Sequence, residues 1–584
     1  MRLNIFRKYY FYFQIFKFLK RSQLNTLFLI IILTIVVAFL DLLSVFIIIP
    51  FVNVLLGEKL PEILVNFFNY FNLTFENSSN LYLLIFTSIL ALGTSFFSSG
   101  FRMVVLIKKE NFIAEICNYL SVRAFNNVIS QNYNWHIKNE STDTIVKLNL
   151  IDKIYSDIIS PILIIFSSFI TSLVIFSGMI IYSPKTTFFS LFLLSFSYLS
   201  ILNWCKKRLE KNSIGKIKEN KNLFKIMKDS LSGIRELILN DEKDFVLKLF
   251  KESDKKLKFY NAEVGYLSLA PKYFIEFLSI FIVIFIGLLV YENNSEPGPL
   301  ISSLAFFAFS LLKLIPHAQA FYSSMTAMRA NRVTLKDYIE LQELKDFYSN
   351  QIGFNRKIDI ENFFVNNLTY HFSNSNKKII DDFNVSFKKG DFVVLAGPSG
   401  SGKTTLCDLL MGLIEPDSGD FFFTINNKVL KVNPYDLRKN SVHVPQEVFI
   451  FNDSIINNII RKSKINNEAL DLAMKAACLD QFVRELPQGV ETIIGERGSF
   501  LSGGQRQRIG LARAIYMMLS EAKFILFLDE STSALDTITE IKVIKNLKNL
   551  FKDKITIIIS HRKNTFNLFD KVIKLNELKK LKKN

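Results

Sequence analysis

The chain has 584 residues, 49% of them hydrophobic, and 71 Lys and Arg against 53 Asp and Glu give a formal net charge of +18. That length exceeds one globular domain, the apolar content excludes disorder, and the irregular pattern excludes a fibrous repeat. The charge does not mark a nucleic-acid binder. Much of the excess lies at Arg2, Arg7, Lys8, Lys17, Lys20 and Arg21 and between Lys206 and Lys258, flanking apolar runs, where Lys and Arg collect on the cytoplasmic side of a membrane.

In chain order, Ile5–Leu19 comes first, aromatic-rich and interrupted by Arg7, Lys8 and Lys17. It suits a helix lying in the membrane interface. A signal peptide is the alternative, but no small-residue cleavage site follows and the next apolar run is long enough to span. Six runs reach the roughly 20 apolar residues that a span needs: Leu27–Phe51, Leu81–Ile107, Ile158–Tyr182, Thr187–Trp204, Tyr266–Val290 and Leu300–Tyr322. The connections after the second and fourth are long and heavily charged, whereas those after the first and fifth are acidic (Glu58, Glu62, Glu76; Glu292, Glu296). That asymmetry predicts both termini and both long loops on the cytoplasmic side.

Within the long loops, Asn111–Val128 and Lys216–Phe259 carry apolar residues at helical spacing among charges, so the spanning helices should continue beyond the bilayer. Short turns are expected near Trp135–Thr142 and Ser230–Arg235. The cysteines Cys117, Cys205, Cys407 and Cys478 form no CxxC or metal spacing and read as reduced thiols. Charges inside spans are expensive and mark functional candidates. They are Asp41, Arg102, Lys272, Glu276, Lys313 and His317. Lys272 and Glu276 are spaced i,i+4 and can neutralise each other, and Arg102 is near enough to a span end to snorkel. Lys313 has no acid at i±4, and a basic group there suits an anionic headgroup.

From about Phe354 the pattern changes to short β-rich runs alternating with helices. A strand at Phe392–Ala396 leads into Gly397-Pro-Ser-Gly-Ser-Gly-Lys-Thr-Thr405 and then an apolar helix. This is G-x-x-x-x-G-K-T in strand–loop–helix context, the loop whose backbone N–H groups cradle phosphates. The expected nucleotide-binding set is Gly397, Pro398, Ser399, Gly400, Ser401, Gly402, Lys403, Thr404 and Thr405. Lys403 should reach the β/γ-phosphates and the Thr404 hydroxyl should ligate Mg²⁺. Phe524–Glu530 reads as a buried strand ending in two acids. Asp529 would hold Mg²⁺ and Glu530 would polarise an attacking water. Leu501-Ser-Gly-Gly-Gln505 opens a second helix with a glycine-rich entry, a second phosphate-binding surface formed by Ser502, Gly503, Gly504 and Gln505.

These residues resemble the ATP-binding-cassette (ABC) transporters. Leu501–Gln505 is similar to their signature, Gly397–Thr405 to Walker A, and Asp529 with Glu530 to Walker B. The resemblance implies that Gln446, in Val444-Pro-Gln-Glu, is a Q-loop residue that senses the γ-phosphate and helps hold Mg²⁺. It implies that Ser533–Asp536 is the D-loop, His561 the switch histidine, and Glu496 a coupling carboxylate. The family commonly stacks a tyrosine on adenine just after the first strand; this sequence departs from that pattern with Phe372 at the place, and Tyr370 is the other candidate ring. The implied fold class is an α-helical domain of six spans followed by an α/β P-loop ATPase. The boundaries would be 1–26 for the interfacial segment, 27–335 for the membrane domain, 336–353 for a linker and 354–584 for the ATPase. ATP and Mg²⁺ are the implied cofactors, and a second copy of the chain the implied partner, its signature closing each ATP against Lys403.

The membrane half resembles the bacterial lipid-linked oligosaccharide flippases at Phe39–Pro50, Ala270–Glu276 and Leu312–Pro316. That implies a lipid-linked glycan as substrate, Arg102, Lys272 and Lys313 as cavity cations that draw its pyrophosphate, and a bacterial inner-membrane location. Export of a peptide, drug or other lipid is the alternative.

Overall fold

The computed structural model describes residues 12, 14–58, 80–149, 151–293, 297–347, 359–371, 378–461, 465–495, 498, 500–521 and 523–575. Phe372, Glu496 and the tail Leu578–Asn584 lie outside them. The chain divides into two compact units, one drawn from Met1–Gln131 and His136–Asp346, the other from Phe347–Asn584 with Asn132–Trp135.

Among the described residues the first unit contains helices and turns and no strand. Its long helices are α1 (Arg21–Phe46), extended by the short α2 (Ile48–Leu55), then α3 (Asn80–Ile129), α4 (Ser160–Tyr182), α5 (Pro184–Ser232), α6 (Lys243–Asn293) and α7 (Pro297–Ala330). Among the described residues, six stretches are long and apolar enough to cross a membrane, matching the six runs read from the sequence. Their outer faces remain apolar: Leu92 is 72% and Phe96 76% exposed, which only lipid or another apolar surface can accommodate. The inner faces pack around Val45, Ile175, Met179, Ile282, Phe306 and Leu311. Gly178 of α4 lets α1 approach closely, since a Cβ there would stand 2.2 Å from Leu42.

Helices α3, α5 and α6 contain 50, 49 and 51 residues. At 1.5 Å per residue each is about 75 Å long, well over twice the roughly 30 Å of hydrocarbon it crosses. The expected extensions therefore exist, and the expected turns fall at the breaks around Asn139 and Gly233. Residues 5–11 and 13 of the expected interfacial helix lie outside the described residues. Its described part is a 3-10 turn, Gln14–Phe18, with Ile15 buried and the Tyr12 hydroxyl donating to the Met328 carbonyl at 3.2 Å. Tyr12 and Ile15 pack inward, whereas Phe16, Phe18 and Leu19 stay partly exposed. Residues 336–343, read above as linker, belong to the helix α8 (Arg332–Glu343), which the Asn127 amide holds by donating to the Leu341 carbonyl at 3.1 Å.

The second unit contains two sheets. The first is antiparallel, in the order β2–β1–β4–β5, from β1 (Asn362–His371), β2 (Lys378–Lys388), β4 (Ser418–Ile425) and β5 (Lys428–Val432). The second is parallel, in the order β6–β7–β8–β3–β9. Its strands are β3 (Phe392–Ala396), β6 (Ser441–Val444), β7 (Ile525–Asp529), β8 (Ile555–Ile559) and β9 (Lys571–Lys574). Strands β3 and β8 are buried along their whole length, which is why they read as unbroken apolar runs. Helices α9 (Lys403–Leu410), α10 (Gly503–Ser520) and α11 (Thr537–Leu550) complete the frame.

Candidate functional site

In a parallel sheet the loops leaving the carboxyl ends of the strands share one edge, where open α/β folds bind ligands. Here β3 leads into Gly397, β6 toward Gln446, β7 into Glu530 and β8 toward His561. Strand β8 lies between β3 and β7, pairing Leu395 with Ile559 on one side and Leu528 with Ile558 on the other. The four loops are thereby gathered although their sequence positions are far apart.

The Gly397–Gly402 loop turns sharply into α9. Gly402 has φ +96°, and a Cβ there would lie 2.8 Å from Ile379, so only glycine fits. Lys403 is 6% exposed, and its ammonium donates to the Gly397 and Pro398 carbonyls, each at 2.9 Å. Burial lowers its pKa, while the nearby Glu530 and Asp529 oppose that shift. The Ser401 hydroxyl is buried in the same loop without a hydrogen-bond partner among the described residues, as a loop built to meet an external oxygen requires.

Thr404 Oγ1 donates to Asp529 Oδ2 at 3.2 Å. Burial raises the Asp529 pKa, as does the adjacent Glu530, against the lowering effects of Thr404 and Lys403. A divalent cation beside it would relieve both. Among the described residues no cluster of three His, Cys, Asp or Glu side chains is present. A hydroxyl and a carboxylate nevertheless fit Mg²⁺, which takes few protein oxygens and completes its shell with water and substrate phosphates.

Glu530 adopts φ +44°, unusual for a side-chain-bearing residue, and its carboxylate is bracketed. Gln446 Nε2 donates to Oε2 at 2.9 Å, and His561 Nε2 lies 2.9 Å from Oε1. Both residues thus converge on Glu530, and the Gln446 amide nitrogen engages this acid, while Thr404 engages Asp529.

At the start of α10, Ser502 and Gln505 form a reciprocal cap. The Gln505 N–H donates to Ser502 Oγ at 3.2 Å and the Ser502 N–H to Gln505 Oε1 at 2.7 Å. Their side chains hold the helix end, while Gly503 and Gly504 follow as its first turn. Sequence reasoning assigned no role to two side chains that fix the surrounding loops. Gln507 donates to Ser533 Oγ at 3.2 Å and accepts from the Ala534 N–H at 2.9 Å. Arg562 donates to Glu540 Oε2 at 2.5 Å and to the Ser533 carbonyl at 2.8 Å. Only a charged residue beside the histidine and a glutamine on an otherwise buried helical face hinted at them.

In the membrane unit the two basic candidates Arg102 and Lys313 meet on one acid. Arg102 Nη2 donates to Asp41 Oδ1 at 2.7 Å and Oδ2 at 2.6 Å, Lys313 Nζ donates to Oδ1 at 3.2 Å, and Ser98 adds 2.7 Å to Oδ1. The acid that Lys313 lacks on its own helix is supplied by α1. Lys272 stands apart, 3.8 Å from Glu276 one turn along α6, with both side chains about half exposed.

The family model described as ABC transporter transmembrane region matches residues 27–313, and that described as ABC transporter matches 380–533. An ATP-dependent lipid A-core flippase of Burkholderia thailandensis is 29% identical over 60% of this chain and 58% of its own length. ABC transporter B family member 29, chloroplastic, of Arabidopsis thaliana is 40% identical over 37% of this chain and 33% of its own. The match therefore spans less than two thirds of either relative. The fold is similar to that of a bacterial Atm1-family ABC exporter with ATP bound, at TM-score 0.72 and 19% identity, covering 95% of this chain and 93% of that one.

Proposed function

The chain belongs to the ABC transporter family, as an exporter-type membrane half fused to an ATPase that couples hydrolysis to transport, and from that premise we propose that it flips a polyprenyl-pyrophosphate-linked oligosaccharide across the cytoplasmic membrane of a bacterium. The observation that carries this reading is the Asp41–Arg102–Lys313 cluster, two cations on one acid within the spans. A surplus positive charge there favours a phosphorylated headgroup, while the apolar outer faces leave a polyprenyl tail in lipid. A lipid A-core flippase among the similar proteins supports a lipid substrate in general.

In the ATPase, the Gly397–Thr405 loop would bind the triphosphate through its backbone N–H groups and Lys403. Thr404 and Asp529 would hold Mg²⁺, with Gln446 at its edge. Bound there, the ion would neutralise charge on the phosphate oxygens. Glu530 would orient and deprotonate the attacking water, and His561 and Gln446 would fix its carboxylate. Two copies would face head to tail, each offering Ser502–Gln505 to the other's nucleotide, with the cytoplasmic helix extensions carrying closure to the spans. Phe372 would stack on adenine, since Tyr370 is buried in the core beside Leu368 and Ile380.

Lipid-stimulated ATPase tests the substrate reading. A polyprenyl diphosphate added to phosphatidylcholine nanodiscs should raise hydrolysis several-fold, and the corresponding polyprenol should not. Equal responses to both would overturn it in favour of an exporter of another amphiphile.

A further inference from the structure

Among the described residues, Asp41 is the least exposed charged side chain of the membrane unit. Its side chain is 0% exposed, whereas Arg102 and Lys313 remain 49% and 32% exposed. The carboxylate accepts all four hydrogen bonds described above. Arg102 contributes through Nη2 alone, so its other donors are uncommitted among the described residues. The acid is sealed, and its two cations are partly exposed on the single chain. Arg102 also lines a cleft of about 140 Å³ with Lys109 and His317, backed by Ile30, Val37 and Phe166, and no lining residue is acidic.

Asp41 is not needed to neutralise the pair, because one carboxylate leaves the cluster at +1. It does prevent two bare cations from standing a few ångströms apart in low dielectric, where their repulsion is largest. A phosphate entering the cleft would meet Arg102 already charged and already aimed by its bond to Asp41, with Lys109 on the same wall. It would share or displace the carboxylate rather than assemble the site.

We propose that Asp41 is a specificity-determining residue for transport: it stands in for the substrate's anion in the resting chain and sets the charge that an incoming phosphorylated headgroup must match. This rests on the phosphorylated-lipid reading above. Too little positive charge would fail to recruit the headgroup. Too much would hold it and slow its release. Removing the acid therefore tightens the site for a diphosphate and has no effect on a neutral amphiphile.

The test uses the full chain in phosphatidylcholine nanodiscs, with ATPase titrated against polyprenyl diphosphate, polyprenol and inorganic pyrophosphate. Asp41→Asn keeps the shape and removes the charge. It should lower the half-stimulating fraction of the diphosphate lipid at least fivefold and leave polyprenol without effect. The double variant Asp41→Asn/Lys313→Gln restores the +1 balance and should return the half-stimulating fraction to within twofold of the parent. An unchanged titration in Asp41→Asn overturns the inference, as does an inactive Asp41→Asn that the second change does not rescue. A parent chain that hydrolyses ATP and ignores every phosphorylated lipid overturns the substrate reading instead. Stimulation by inorganic pyrophosphate equal to that by the lipid, shifting in the same way in Asp41→Asn, supports the role of Asp41 while assigning the site to a soluble phosphate.

Discussion

Glu530 and His561 approach to 2.9 Å, Oε1 to Nε2, across the ends of the neighbouring strands β7 and β8. The second carboxylate oxygen takes the Gln446 amide at the same distance. A carboxylate gripped on both oxygens has little rotational freedom, and a base must be held in that way to act on a water rather than merely sit near one. Hydrolysis in the proposed scheme depends on this acid.

Replacing Glu530 by Gln keeps the shape and removes the base. ATP hydrolysis should fall about 10²–10³-fold, within the range of general-base losses. Binding of a fluorescent ATP analogue should stay within about threefold, since the loop and Lys403 are untouched. Steady-state hydrolysis and equilibrium titration check the two halves separately, and an undiminished rate would take Glu530 out of the role.

Gln507 joins α10 to the Ser533–Ala534 turn through two side-chain hydrogen bonds. It is 6% exposed while Ser533 and Ala534 are exposed, so Gln507→Ala removes two hydrogen bonds whose partners turn to water, at about 0.5–1.5 kcal/mol each. Stability of the ATPase should fall by about 1–3 kcal/mol, seen as a lower unfolding midpoint. Hydrolysis should fall more steeply than stability at temperatures where the protein is folded, because the turn follows Glu530 directly.

Asp408 lies one turn into α9, and burial, aided by the Asp529 charge, pushes its pKa up to about 6. The folded state then holds a proton that the unfolded state releases near pH 4, so stability falls as pH rises from about 4 through 6. Asp408→Asn should flatten that slope and stabilise the nucleotide-free chain at pH 7 by about 1–2 kcal/mol. Thermal unfolding in EDTA between pH 5 and pH 8 measures it, and a parallel slope in parent and variant would contradict the assignment.

The in-span cations should separate by their contacts. Lys313→Ala removes one of the two cations on Asp41 and should reduce lipid movement by about tenfold or more. Lys272→Ala breaks only an exposed pair with Glu276 and should change it less than about twofold. Proteoliposomes carrying each variant at matched protein content give the comparison.

The legibility of these features in the sequence follows their range along the chain. Phosphate chemistry requires consecutive residues on one loop, so Gly397–Thr405, Leu501–Gln505 and Asp529–Glu530 could be read directly, and so could the i,i+4 partnership of Lys272 with Glu276. The pairing of Asp41 with Arg102 and Lys313 could not, because its members sit on α1, α3 and α7 and no periodicity along one helix connects them. Lys313 looked unpartnered for that reason alone. The clamp on Glu530 was foreshadowed only as motif order. Its geometry comes from strand order in the parallel sheet, which places β8 beside β7. The spans were legible by length. The inward packing of Ile15 was not, because an amphipathic segment at a membrane surface and one against a helix bundle share the same pattern.

The most direct test of the account is ATP-dependent movement of a polyprenyl-pyrophosphate oligosaccharide across proteoliposomes, read by the access of an impermeant glycosidase to the headgroup. The account predicts that ATP changes headgroup access with the parent chain and that Glu530→Gln abolishes the change. An unchanged headgroup distribution, from a preparation that still hydrolyses ATP, would contradict it.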